Sequence, residues 1–459
     1  MKIIESIKRG LVHLVFGLFW GDEGKGKAIL ELLALLGCEV SARYQGGPNA
    51  GHTLYVNGEK FVAHLLPSGV AVPAVEHLLI GNDVVVDPAK LVQEIREAES
   101  LGMTVLPRLE VSELAALITP YHKLLDKASE WFRVKNGNDS IGTTGSGIGP
   151  CYADAASRDA LKLGMIKSPK FEKFAQDMHA RHAMLLRAYI AEGMEFDAVA
   201  QLSLEKALVE WQEAIRWIQG CVAVVDMNHE VEVLLAGGKN ILAEGAQGAM
   251  LDVSFGDYPF TTSSMTTAHG LFHGLGIGPS DFGKLYGVMK PYVTKVGGGA
   301  FPSRMDSKVE KYFQEEGAEF GATTGRPRMC GYLDLVVLRH VIKLHRGFGR
   351  LNIFMTKTDR FPKQVKEMFV VTGYCYPDGG TSTRLERPLS EVTGVVKERI
   401  EPWKVKSGQK YYDGRSLGLD MLVNRIRSEF SDEDVDIAYI GTGCEAGDYF
   451  PYPAQFTEE

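Results

Sequence analysis

The chain has 459 residues, 45% hydrophobic and 24% charged, with a formal net charge of −8. That length exceeds the usual single-core domain, and the composition is that of an ordinary globular protein. The acidic balance argues against a nucleic-acid or membrane-surface partner, because phosphate backbones reward clustered Lys and Arg, so any phosphate site has to be local and concave.

Lys8 and Arg9 before the apolar run 11–16 have the outline of a signal peptide. No small-residue cleavage site follows, and the run enters a charged, Gly-rich segment, so a buried first strand over Leu11–Phe19 is the better reading. A helix is expected over Ala28–Leu36. Asn57-Gly58 within Leu54–Leu66 signals a hairpin. His77–Val86 reads as a strand ending at the turn signal Asp87-Pro88. Long helical patterns fill Ser112–Val134 and Ser168–Ile218. Further strands are expected at Cys221–Asp226, Asn240–Ala243, Leu285–Thr294, Arg350–Thr356, Met368–Tyr374 and Asp436–Ile440, with a mostly buried helix over Asp334–Leu344. No stretch approaches the roughly 18 to 20 apolar residues that span a bilayer. Six cysteines (Cys38, Cys151, Cys221, Cys330, Cys375, Cys444) with no C-x-x-C pair fit reduced thiols in a cytoplasmic enzyme.

Strand and helix alternating along the chain predict an α/β fold with a large, mostly parallel sheet flanked by helices. No repeat or composition shift marks a linker, which makes 1–459 a single large catalytic domain carrying inserted helical and loop subregions. Several Gly-rich segments sit where strands end, the usual place of the ligand crevice in open α/β sheets.

The first such segment is Trp20-Gly21-Asp22-Glu23-Gly24-Lys25-Gly26-Lys27-Ala28. Gly21 to Lys27 has the G-x-x-x-x-G-K spacing of a phosphate loop, which implies a P-loop-NTPase-like nucleotide-binding core. Its glycines let backbone N–H groups reach an anion at a helix N-terminus. Two details are unusual: Ala28 lacks the hydroxyl that an ordinary P-loop offers to magnesium, and Asp22-Glu23 puts two acids in the loop. An acid there suits a metal ligand or a base better than a simple phosphate cradle. The second segment, Arg43–Thr53, follows a strand and sets Asn49, Gly51 and His52 within four residues, groups suited to phosphate recognition.

WGDEGKGK together with YQGGPNAGHT resembles the adenylosuccinate synthetase family. The likeness continues through Ile141–Pro150 (IGTTGSGIGP), Glu244–Gly248 (EGAQG), Tyr258–Ser264 (YPFTTSS), Gly321–Arg328 (GATTGRPR) and Thr356–Asp359 (TKTD). In TKTD a carboxylate can accept from guanine N1–H and the exocyclic amine, which adenine cannot offer. In Gly325-Arg326-Pro327-Arg328 two guanidinium groups suit carboxylate or phosphate capture.

The resemblance implies GTP-dependent ligation of L-aspartate to IMP through 6-phosphoryl-IMP, with one Mg²⁺ per subunit. Asp22 would be the general base for N1 of IMP. His52 would be the general acid at the GTP β-phosphate, Gln247 would support the base and the 6-oxyanion, and Lys25 would hold the transferring phosphoryl group. The IMP site would draw on Asp22, Glu23, Gly24, Lys25, Asn49, Ala50, Gly51, His52, Thr144, Arg158, Gln247, Thr262 and Arg326. The GTP site would comprise Gly21, Asp22, Glu23, Gly24, Lys25, Gly26, Lys27, Gly51, His52, Thr53, Arg328, Lys357, Thr358, Asp359, Gly441, Thr442 and Gly443. Ala322, Thr323, Thr324, Gly325, Arg326, Pro327 and Arg328 would bind aspartate, and Asp22 with the carbonyl of Gly51 would ligate the metal. Arg158 is similar to the arginine that the family supplies across a homodimer interface.

The chain departs from the family pattern at Pro48, Ser146, Met265, Arg304, Met329 and Cys444-Glu445-Ala446. These departures, with lost positive charge at 146 and 329, motivate one rival reading, and the P-loop-like segment with TKTD motivates another. One is a paralogue that ligates aspartate to another purine nucleotide such as dGMP. The other is a GTP-binding switch protein, which Ala28 disfavours. A dinucleotide dehydrogenase fails for want of G-x-G-x-x-G after the first strand.

Overall fold

A strand covered on both faces of a parallel sheet needs a nearly unbroken apolar run, and Val12–Gly17 supplies one, all six residues buried. The computed structural model describes residues 9–56, 58–321, 325–403, 405, 407, 417–443 and 447–452. They group into two compact units.

The first unit comprises Met1–His13, Leu32–Ala246 and Thr262–Gly283. Its strands lie in the order Ile241–Glu244, Val40–Gly46, His77–Val86, Leu109–Ser112, Ala223–Val225, each neighbouring pair parallel. The helix Ala268–Leu275 packs on Val40–Gly46 and His77–Val86, while Pro88–Ser100 packs on Ala198–Cys221 and Pro120–Lys135 on Phe171–Ala191. A separate antiparallel hairpin joins His52–Val56 to Glu59–Ala63, where the Asn-Gly signal placed it; Asn57 itself lies outside the described residues.

The second unit comprises Leu14–Glu31, Gln247–Thr261 and Lys284–Glu459. Most of Val12–Gly17 falls here, beside Phe282–Met289; Leu351–Met355 and Val435–Gly441 follow in parallel, and Tyr449–Pro451 closes the edge antiparallel. A second sheet runs Tyr292–Lys295, Met329–Asp334, Met368–Cys375, Thr381–Ser382, with Gly394–Ile400 also paired to Met368–Cys375. The expected α/β class holds: the strand orders of the first unit and of the second unit's first sheet are mostly parallel, whereas the second unit's other sheet is mostly antiparallel.

Three expected elements divide. Instead of one helix over Ser112–Val134, the strand Leu109–Ser112 ends there, Ala116–Leu117 pairs with Val85 and Val86, and the helix starts only at Pro120. Proline is well suited to a first helical turn and poorly suited to a helix interior. The pattern Ser168–Ile218 is two helices, Phe171–Ala191 and Ala198–Cys221. Gly193 at φ 98° ends the first, and Asp197 caps the second by accepting from Ala200 N–H. Leu285–Thr294 splits at Pro291 into strands of two different sheets, since proline cannot donate to a ladder.

The expected helix over Asp334–Leu344 is present as Leu335–Leu344, with Asp334 as its cap. This carboxylate is fully buried, accepts from the N–H groups of Val336 and Val337 at 3.1 Å and from Tyr374 Oη at 2.6 Å. Burial nevertheless outweighs these bonds and pushes its pKa up to about 6. The folded-state value lies above the unfolded one, so folding is favoured as pH falls through 6 and is penalised at neutral pH. Asp334→Asn keeps a cap acceptor without the charge. It is expected to exceed the parent in stability at pH 7.5 by about 1–3 kcal/mol, the advantage vanishing near pH 4. Denaturant titrations at both pH values measure this, and a pH-independent difference would refute it.

Candidate active site

In the second unit the loop after Val12–Gly17 is shaped by its own acid. Glu23 is 2% exposed. Its Oε1 accepts from the N–H groups of Phe19 (3.2 Å) and Gly21 (2.8 Å), and its Oε2 accepts from Lys25 Nζ at 3.0 Å. The side chain is therefore a buckle for the loop. Lys25 also donates to the carbonyl of Gln247. Asp22 stands at φ 61° between Gly21 and Gly24, both left-handed, and its Oδ2 accepts from Arg328 Nε at 2.8 Å. The loop leads into the helix Lys25–Leu36, whose N-terminal end carries the favourable partial charge for an anion.

Backbone forms the back wall. A Cβ on Gly248 would lie 2.4 Å from Phe19 O and 2.6 Å from Gly21 N, and one on Gly17 would lie 2.4 Å from Glu23 Oε2 and 2.7 Å from Gln247 O. Gln247 takes φ 58°, and its Oε1 and Nε2 are both buried with no hydrogen-bond partner. Each such orphan costs about 1–3 kcal/mol, which a bound polar ligand would recover.

Two further motifs meet this loop within the same unit. Thr356 Oγ1 donates to Glu23 O. Thr358 Oγ1 donates to Gly441 O at 2.9 Å, and Trp403 Nε1 donates to Thr358 O at 2.9 Å. Lys27 Nζ reaches the carbonyls of Gly443 and Asp448, both at 2.6 Å, and Thr442 N–H donates to Asp448 O. Asp359 is buried, its Oδ2 3.3 Å from Arg360 Nε. The Gly loop, TKTD and Gly441–Gly443 thus form one wall, while Cys444, Glu445 and Ala446 lie outside the described residues.

Arg328 is buried and divided between two carboxylates, Asp22 and Glu319 (Nη1 to Oε2, 2.6 Å). Glu319 also accepts from Lys290, Tyr292 and Lys357. Arg326 is exposed and its carbonyl accepts from Gly321 N–H at 2.8 Å. Gly325 and Pro327 are exposed too; Ala322, Thr323 and Thr324 lie outside the described residues. Of the departures, Arg304 pairs with Glu310 through Nε (3.1 Å) and Nη2 (2.9 Å), so its charge is matched locally. Met329 opens a strand through its backbone.

In the first unit the segment Arg43–Thr53 begins inside the strand Val40–Gly46, every residue of which is buried, and ends in the hairpin. Gln45 Nε2 donates to Ala246 O at 2.9 Å and its Oε1 accepts from Ser264 Oγ at 3.0 Å, joining YQGG, EGAQ and TSS. His52 is 6% exposed, its Nδ1 3.2 Å from Ser68 Oγ and 3.3 Å from Glu244 Oε1. Glu244 is fully buried and accepts from Ser68 N–H with both oxygens at 3.1 Å. Burial alone would raise its pKa, but His52 and Arg43 hold it below the usual carboxylate range. Asn49 is half-buried with Oδ1 unpartnered, the Ala50 carbonyl lies 2.6 Å from His64 Nδ1, and Gly51 and Thr53 are half-buried.

Thr144 precedes the helix Ile148–Ser157 and Arg158 follows it at φ 68°, both exposed; Thr262 is half-buried. Ser146, where the family pattern has arginine, accepts from Thr144 Oγ1 at 2.8 Å.

Asp22, Arg158, Gln247 and Lys357 are four of the five non-glycine residues with positive φ among those described; the fifth is Ala318. Such backbone strain tends to collect at functional sites. Sequence reasoning gave no role to Glu244, Lys290 or Glu319. The first two carried a signal, a lone charge closing an apolar strand at its carboxyl end.

A glycine loop at a strand end, a lysine, and a buried carboxylate–guanidinium cluster on parallel α/β sheets define a nucleotide-binding α/β protein. The adenylosuccinate synthetase family model matches residues 14–450. Curated relatives named adenylosuccinate synthetase include that of Salinibacter ruber, 41% identical over 85% of each chain, and that of Parabacteroides distasonis, 40% identical over 92% of this chain and 91% of that one. Among solved structures, the fully ligated adenylosuccinate synthetase from Plasmodium falciparum superposes with a TM-score of 0.84 at 31% identity, over 97% of this chain and 100% of that one. A cyanophage S-2L succinoaminodeoxyadenylate synthetase bound to dGMP and dATP shares the fold at a TM-score of 0.61 and 20% identity, over 97% of each chain. The chain belongs to the adenylosuccinate synthetase family, ligases of purine biosynthesis that form a C–N bond with GTP as co-substrate.

The His52–Glu244 contact predicts a pH effect. A carboxylate beside an imidazole favours its protonated form, and a general acid, the role we propose for His52 below, works only while protonated. Glu244→Gln should therefore move the alkaline limb of the kcat profile to lower pH by about one unit. A limb that stays in place would separate Glu244 from His52.

Proposed function

We propose that the chain joins L-aspartate to IMP, with GTP phosphorylating the 6-oxygen before the aspartate amine displaces that phosphate, giving adenylosuccinate, GDP and phosphate. Supporting this most directly is the buried, unpartnered amide of Gln247 against the glycine loop that carries Asp22. A purine 6-oxo group is a poor nucleophile until N1 loses its proton. We assign Asp22 as the base that takes it and Gln247 as the amide that bonds the base and the developing oxyanion. A positioned base contributes about 10²–10⁴ in rate. Lys25 and the loop amides hold the transferring phosphoryl group, where positioning and charge supply most of the catalysis. His52 protonates the departing β-phosphate oxygen. Lys357 and Asp359 read guanine, Gly441, Thr442 and Gly443 cover it, Arg328 reaches toward GTP, and Thr324 with Arg326 takes the aspartate carboxylates. Asn49, Thr144 and Thr262 hold the IMP phosphate.

For Mg²⁺, the oxygen donors of Asp22 and the Gly51 carbonyl suit a hard cation, and Asp22 is 31% exposed. When bound, the ion would neutralise phosphate charge. The proposal includes a single catalytic domain, in keeping with a family match over residues 14–450, a cytoplasmic location, and a homodimer in which exposed Arg158 enters the partner's IMP site. No described helix is long and apolar enough to cross a membrane. Membership of a ligase family sets aside the GTP-switch reading.

The acceptor is tested by measuring product from IMP and from dGMP, each with GTP and aspartate. IMP is expected to be preferred by at least about a hundredfold in kcat/KM; equal use of dGMP would reject the assignment. Asp22→Asn is expected to lower kcat by at least about a thousandfold while GTP binding changes little. Turnover close to the parent's would remove Asp22 as the base.

A further inference from the structure

Glu319 has no part in the sequence motifs, yet two lysines, an arginine and a tyrosine of the second unit converge on it. Its carboxylate is fully buried and accepts from Lys290 Nζ (3.1 Å), Tyr292 Oη (2.6 Å), Lys357 Nζ (2.8 Å) and Arg328 Nη1 (2.6 Å). Burial alone would raise its pKa, but Lys290, Lys357 and Arg328 together hold it well below the usual carboxylate range. Lys290 is equally buried, its ammonium 5.1 Å from the Tyr292 ring centroid, and burial pushes its pKa down to about 8. The residue before Glu319, Ala318, takes φ 51°, a left-handed conformation that a residue with a Cβ adopts only under strain.

We propose that Glu319 is a positioning residue that holds Arg328 and Lys357 in place for the nucleotide; this rests on the GTP-binding roles assigned to both above. Arg328 bonds Asp22, which is 31% exposed, and Glu319, which is fully buried. When Asp22 turns to a base's or a metal ligand's work, the Glu319 bond keeps the guanidinium in register. Lys357 is fixed likewise, by Glu319 and by Gly317 O at 3.1 Å. Three cations against the carboxylates of Asp22 and Glu319 also leave an excess positive charge, which favours polyphosphate.

The test uses the full chain as Glu319→Gln, Glu319→Asp and the double variant Glu319→Gln/Lys290→Met, reading kcat, the KM values of GTP and IMP, calorimetric GDP affinity and thermal midpoint. Glu319→Gln is expected to raise the GTP KM and weaken GDP binding on the order of tenfold, with the IMP KM within about twofold. Glu319→Asp should recover part of the loss. The double variant removes the cation left unmatched in the interior; it should regain thermal stability without regaining GDP affinity. Unchanged GDP affinity in Glu319→Gln, an equal rise in both KM values, or affinity returning together with stability would each overturn the proposal. A parent with no turnover of IMP would defeat the proposed reaction alone, since GDP affinity still reads Glu319.

Discussion

The carboxylate of Glu23, folded back onto the amides of Phe19 and Gly21 and onto the ammonium of Lys25, is the constraint on which the nucleotide loop depends. A tight turn made largely of glycine has many conformations to lose on folding. An internal anion that accepts from two of its amides selects one of them. It also separates the roles of two adjacent acids. Glu23 is consumed by the loop itself, and Asp22, thrown into the left-handed region, is the one left to face outward.

Buried charges here are shared instead of paired. Glu319 takes four donors, Arg328 spans two carboxylates, and Glu244 takes a backbone amide with both oxygens beside His52. A desolvated ion is tolerable only when its remaining valences are met. In the first unit His122 and His182 both bond Asp154 Oδ2, at 3.0 and 2.8 Å. This trio has the outline of a metal centre, but Thr119 N–H donates to His122 Nδ1 at 2.9 Å. The neutral ring's proton is thereby placed on Nε2, facing Asp154, where a ligand would need a bare lone pair. It is a hydrogen-bond knot.

Legibility in the sequence followed the range of the forces involved. Strands such as Val12–Gly17 and Leu351–Met355 announce themselves because burial on both faces demands apolar runs. The hairpin at Gly58 and the cap at Asp334 are equally local events. What escaped notice depends on partners far along the chain. Val40–Gly46 alternates apolar residues with Ser41, Arg43 and Gln45, a solvated-strand pattern, yet all are buried, Ser41 bonding Gly69, Arg43 bonding the His64 carbonyl, and Gln45 bonding Ala246 and Ser264. The buckle role of Glu23 was equally hidden, since nothing in its neighbourhood of sequence reveals a side chain turned inward. Glu319 sits in an unremarkable stretch, and its meaning lies in Lys290 and Tyr292 upstream and Lys357 downstream.

Gly17 and Gly248 carry a last implication. Because each presses bare backbone against the turn and the Glu23 carboxylate, neither position has room for a side chain that evolution or an engineer could enlarge. The floor of the loop is in effect cast in one piece. Variation must then be absorbed at positions with slack, as at Arg304, whose charge Glu310 already balances, and at Met329, which contributes mainly its main chain. Retuning such a protein is a matter of reshaping its rim.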